Sequence, residues 1–189
     1  MSFDQMMIHY CAPTLCEIKP GNMFFVKNQD YSKSSFEDWK KTFSNRGFMS
    51  FAIPLSENST AILVCNVCQV RKLLEDPMVQ AYLCHKGYHC SGLSDFVNKF
   101  SNRVQKCQDF PHEIGVILGY PVEDVIEFEN HQGHDCKYCG QWKSYSNVEN
   151  ARECHCRYKN CCGFCERLYS EGYSLDYIIC EYKKTASAA

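Results

Sequence analysis

The sequence predicts an α+β fold in which a small mixed or antiparallel sheet is covered by helices within a single domain. Short aromatic and β-branched runs at 22–27, 49–54 and 60–67, each bounded by turn residues, supply the sheet. Segments with apolar side chains every three or four positions supply the covering helices. A length of 189 residues, 45% of them hydrophobic and 22% charged, is enough for one core and excludes a disordered or collagenous chain.

The elements follow in order. N-M-F-F-V-K at 22–27 lies between Pro20-Gly21 and Asn28-Gln29-Asp30 and reads as a strand. Ser34 or Ser35 then caps a helix that carries Phe36, Trp39 and Phe43 on one face and stops at Gly47. M-S-F-A-I-P and T-A-I-L-V-C-N-V form a hairpin around S-E-N-S, and the second strand is apolar enough to be central in the sheet. Val70 to Tyr82 is helical by pattern, with Pro77 expected to kink or divide it. Ser94 starts another helix, whose stripe is Phe96, Val97, Phe100 and Val104.

After Pro111, the run H-E-I-G-V-I-L-G-Y-P-V-E-D-V reads as two helices joined at Gly119-Tyr120-Pro121, with a strand over Ile114–Leu118 as the alternative. Y-S-L-D-Y-I-I-C-E-Y reads as a closing strand and 183–189 as a flexible tail. The expected domain therefore spans 1–182, with a cysteine-rich final third at 131–180.

Charge and thiol content narrow the function. With 20 Lys and Arg against 22 Asp and Glu, the net charge of -2 provides no positive field, so no nucleic-acid partner is expected. No apolar run approaches about 18 residues, so no membrane partner is expected either. The amino-terminal stretch lacks the basic start and apolar core of a secretory signal, and 15 cysteines are therefore expected as reduced thiols in a cytoplasmic setting.

Two C-x-x-C units, Cys136–Cys139 and Cys162–Cys165, have the spacing with which a turn brings two thiolates onto one tetrahedral ion. These four are the expected metal ligands, with zinc the first candidate ion and an iron–sulfur centre the second. His131, His134 and His155 are nitrogen substitutes, and thiols that merely pack are the alternative. Cys65–Cys68 closes an apolar strand and is expected to pack. Cys84, His85, His89 and Cys90 form a further loop cluster in which solvated side chains are the ordinary reading.

A different chemistry would pair Cys11 as nucleophile with His112 as base and Glu113 beside it, giving a thiol-dependent hydrolase or transferase. Trp142, Lys143 and Tyr145 in G-Q-W-K-S-Y would line a pocket for a small-molecule ligand or cofactor. A noncatalytic interaction module is the third reading.

F-P-H-E-I-G-V-I-L-G-Y-P-V-E-D-V at 110–125, G-Q-W-K-S-Y at 140–145, and C-A-P-T-L with K-P-x-N-x-F at 11–15 and 19–24 together resemble a bacterial family, domain of unknown function 3793. The resemblance runs over nearly the whole chain and implies no established activity. Cys16 stands where that family has a small residue, and the carboxy-terminal cysteines exceed its usual pattern. A thiol site built from them would be particular to this chain. H-E-I-G-V-I-L-G is also similar to a histidine-bearing strand of papain-like cell-wall peptidases, whose cysteine likewise precedes the histidine, and this resemblance is kept as an enzyme alternative.

Overall fold

The computed structural model describes residues 2–89, 92–106 and 110–187. Helix α1 (Phe3–Leu15) is followed by β1 (Gly21–Lys27), α2 (Lys33–Ser44), β2 (Phe48–Ser56) and β3 (Ser59–Asn66). Helices α3 (Val67–Glu75), α4 (Pro77–His85), α5 (Leu93–Lys106), α6 (Ile114–Ile117) and α7 (Val122–Asn130) come next. A two-residue pair, β4 (Tyr138–Cys139) and β5 (Lys143–Ser144), precedes α8 (Val148–Ser170) and α9 (Leu175–Ser187).

The main sheet is antiparallel in the order β1-β3-β2, with Phe25 opposite Ala61 and Phe51 opposite Leu63. Because strand side chains alternate, β3 feeds two cores. Ile62 and Val64 join a cluster with α1, α2, α8 and α9, whereas Ala61, Leu63 and Cys65 join one with α3 to α7. The α+β single-domain prediction holds, and the hydrophobic central strand lies where its sequence puts it.

Proline and its neighbours decide several boundaries. Asp76 accepts hydrogen bonds from Met78 N and Val79 N, so the predicted break at Pro77 is a capped start for α4. The 110–125 run is a helix pair, although α6 has only four residues and starts at Ile114. His112 therefore lies in the turn before it, without the helix dipole a longer helix would offer.

Three segments depart from the sequence reading. The chain opens with α1 despite Pro13, which sits in the last turn, where only one internal bond is lost. The Pro13 carbonyl then accepts from Ile18 N and Lys19 N, and Glu17 at φ 62 reverses the chain toward β1. The cysteine-rich 148–170 stretch is one helix of 23 residues, not a set of ligand-bearing turns. The expected closing strand is α9, because Leu175, Ile178, Ile179 and Tyr182 recur at helical steps and pack on the first core. Helix α9 continues through Lys183 to Ser187, so these residues of the expected tail are helical, and 188–189 lie outside the described residues.

Candidate functional site

The thiols meet where α1 ends against α8. Cys16 caps α1, and Cys161 and Cys165 lie four residues apart on the inward face of α8, the spacing that aligns side chains on a helix. Their sulfur atoms all fall within 4.8 Å of one another, with Cys16 Sγ 3.7 Å from Cys165 Sγ. Exposures of 3%, 0% and 1% seal all three from water. Hydrogen bonds with Cys16 and Cys161 pull the Cys165 thiol below its ordinary range against the opposing effect of burial. Hydrogen bonds with Cys16 and Cys165, joined by burial, push Cys161 up.

Helix α9 forms the outer wall, with Ile178 fully buried in the same cluster. Two exposed ion pairs tie that wall down: Lys183 Nζ to Glu17 Oε1 at 2.5 Å, and the Arg46 guanidinium to the Asp176 carboxylate.

The quartet expected from the two C-x-x-C units does not gather. No three of Cys136, Cys139, Cys162 and Cys165 lie within 4.8 Å of one another among the described residues. Cys139 is exposed on β4, outside the first core, and helical geometry pairs Cys165 with Cys161 instead of Cys162. Cys162 turns toward Lys19 and Cys11, and burial pushes its thiol up to about 11. Cys65 packs in β3 as expected, whereas Cys68 is exposed at the start of α3. Cys84 Sγ lies 3.6 Å from His89 Nδ1, but Cys90 falls outside the described residues.

The Cys11–His112 pairing is not assembled. Cys11 is 0% exposed in the first core, and burial drives its thiol far up from the ordinary range. His112 packs edge-on against Phe128 and lines a cavity bounded by residues of the other clusters. Glu113 accepts from Tyr88 Oη at 2.8 Å and pairs with Arg103 Nε at 3.2 Å, so it is a buried structural carboxylate. Iodoacetamide at neutral pH is accordingly expected to label exposed Cys68 and Cys156 while Cys11 stays unmodified in the folded protein, as read by peptide mass spectrometry. Early labelling of Cys11 would revive the nucleophile reading.

Lys19, absent from the sequence candidates, is 3% exposed and sits over the Tyr120 and Tyr158 rings, 5.4 and 5.6 Å from their centroids. Burial lowers its amine to about 8, against the opposing pull of Cys11 and Cys162. The reversal at Glu17 that ends α1 is what carries it inward.

The motif residues build the second feature. A cavity of about 340 Å³ is lined by His112, Trp142 and Lys143 together with Tyr120, Phe110 and Phe128. Its wall is held by Asp124 on α7, 2% exposed. Asp124 accepts from Trp142 Nε1 at 2.7 Å, Tyr145 N at 2.9 Å, and Ser146 N and Oγ at 2.8 Å each. Burial raises its carboxyl, but these donors outweigh burial and leave it below the ordinary 3.8.

Of the three residues expected to line a pocket, Trp142 and Lys143 do. Tyr145 instead stacks on His131 at 5.4 Å and contributes its backbone N–H to Asp124. Two segments distant in sequence lock beneath the cavity. A Cβ on Gly119 would lie 2.5 Å from Pro20 Cγ, and one on Gly21 would lie 2.7 Å from the Ile117 carbonyl. Tyr158, Cys161, Cys165 and Leu168 fall on one helical stripe, and that periodicity was the available signal for the buried thiol pair.

A family described as Protein of unknown function (DUF3793) matches residues 7–179. No curated protein and no solved structure matches the chain. No helix among the described residues is long and apolar enough to cross a membrane.

Proposed function

We propose that this chain, which belongs to the DUF3793 family, is a metal-binding protein whose ligands are Cys16, Cys161 and Cys165. The observation that carries the reading is the convergence of three buried sulfurs from two helices within 4.8 Å. Three sulfurs placed about 2.3 Å from a central ion in a plane stand about 4.0 Å apart, so a small contraction of the trio completes the shell. The group contains thiols alone, with neither imidazole nor carboxylate. That donor set selects soft ions.

Zinc, the first expectation from spacing, takes four ligands in a closed site, and the trio offers three. A three-coordinate monovalent soft ion, Cu(I), fits better, with loss of the thiol protons on binding completing the site. A sealed site has no open position for a substrate. Its chemistry is retention or sensing of the ion, and entry requires α9 to lift.

The test uses untagged protein purified under reducing conditions and titrated with Cu(I) against a chromogenic chelator. One equivalent should bind through sulfur alone by X-ray absorption. Cys165→Ser should weaken binding at least about 100-fold, beyond the loss that even an outer-shell partner causes. Cys136→Ser and Cys139→Ser should bind like the parent. Failure to retain Cu(I), or retention unchanged in Cys165→Ser, would overturn the proposal.

A further inference from the structure

We infer that the motif-lined cavity is a binding site for a planar aromatic anion of one or two fused rings. The cavity is separate from the thiol trio, which lies in a different core cluster.

Size comes first. About 340 Å³ lies near the lower end of ligand cavities, which admits a ring system but not a dinucleotide. Shape comes from the walls. Tyr120 and Trp142 stack with centroids 5.3 Å apart, and Phe110 and Phe128 also line the cavity. Gly115 on the floor has no room for a side chain, since a Cβ there would meet the Tyr120 ring and Val125 at 3.0 Å. Aromatic faces around a restricted floor favour a flat guest, which gains offset stacking or edge contacts without losing rotamer freedom.

Charge selects among flat guests. Among the described lining residues the carboxylate is Asp124, and its oxygens already accept from four donors, so it has little left to hold a cation. Glu113, next to His112, is committed to Tyr88 and Arg103. Lys143 is the lysine among the described lining residues. Its Nζ donates to the Gly133 carbonyl at 2.7 Å and lies 5.8 Å from the Phe128 ring centroid, which leaves N–H capacity for a further acceptor. Behind the Tyr120 wall, Lys19 adds a second buried positive group. An anionic substituent near Lys143, on a ring held against Trp142, satisfies both features.

The two tryptophans provide a local readout. Trp142 Nε1 donates to Asp124, whereas Trp39 Nε1 is buried in the first core without a partner, so their indole N–H signals should be separate in a two-dimensional ¹H–¹⁵N spectrum. The probes are 1-naphthoate and its uncharged counterpart 1-naphthalenemethanol, titrated into metal-free protein. The expected result is a saturable shift of the Trp142 signal with Trp39 unmoved, and about tenfold tighter binding of naphthoate. Lys143→Met should lose that preference while keeping the free Trp142 signal in place, and Lys143→Arg should retain it. The inference fails if neither probe shifts Trp142, if both bind equally to the parent, or if the preference survives in Lys143→Met. None of these results bears on Cu(I) retention, so the two proposals stand or fall separately.

Discussion

Replacing Asp124 with alanine is expected to destabilise the protein by about 3–5 kcal/mol, a fall in Tm of roughly 6–20 °C for a chain of this size. The carboxylate accepts from Trp142 Nε1, Tyr145 N, and both Ser146 N and Oγ. Truncation strands these donors at once, and the buried ones cannot all recruit water. The segment carrying β4 and β5 should detach from α7, and the indole signal of Trp142 should move toward its unfolded position. Asp124→Asn keeps one acceptor oxygen but turns an amide N–H₂ toward donors, so it should lose a substantial part of the same stability.

Acid unfolding separates the charge from the geometry. The folded carboxyl lies below the ordinary 3.8, so its contribution is complete above that value and disappears as pH falls through the lower folded value. Parent stability should therefore drop below about pH 4, and that drop should be shallower in Asp124→Asn. Identical acid profiles for the two proteins, measured by thermal denaturation, would show that Asp124 is not the hub described.

Gly119→Ala is expected to cost about 3 kcal/mol, or roughly 6–12 °C in Tm, from two sources. Gly119 has φ +80, which a side chain disfavours, and the added methyl would meet Pro20 Cγ at 2.5 Å. Pro20 follows the buried Lys19, and Tyr120 follows Gly119, so the same methyl should disturb the cavity wall as well as the fold. Differential scanning calorimetry together with the Trp142 indole shift reads both effects. A variant with parent-like melting and an unmoved signal would refute this account of the joint. Gly47→Ala serves as the comparison, since it has a similar φ of +82 but nothing within 4 Å of an added Cβ. It should show the backbone penalty alone.

The sheet and several helices are legible in the sequence because their causes are local. Alternating or continuous apolar runs with turn residues at both ends marked β1 to β3, and Pro77 marked the division between α3 and α4. Helix α9 is not legible in this way, because the adjacent Ile178 and Ile179 suggest a strand although Leu175 and Tyr182 complete a helical stripe. Nor is α8, whose cysteine spacing fits turn geometry as well as helix periodicity.

The candidate sites divide in the same way. His112, Trp142 and Lys143 were legible because they lie in dense, distinctive motifs, and they do line one cavity. Asp124 gave no local sign that it would collect four hydrogen bonds, and Lys19 none that it would be buried.

The sequence by itself determined the α+β class, the strand order's hydrophobic centre, the helix boundaries at Pro77 and Pro121, and the residue types available for chemistry. Tertiary structure alone decided which of those residues meet. Cys16 and Cys165 are 149 positions apart and reach 3.7 Å only because α1 and α8 pack on the same face of the sheet. Periodicity and capping are set by neighbours within a few residues, whereas a ligand distance is set by the packing of whole elements, whose side-chain complementarity is not written in any one segment.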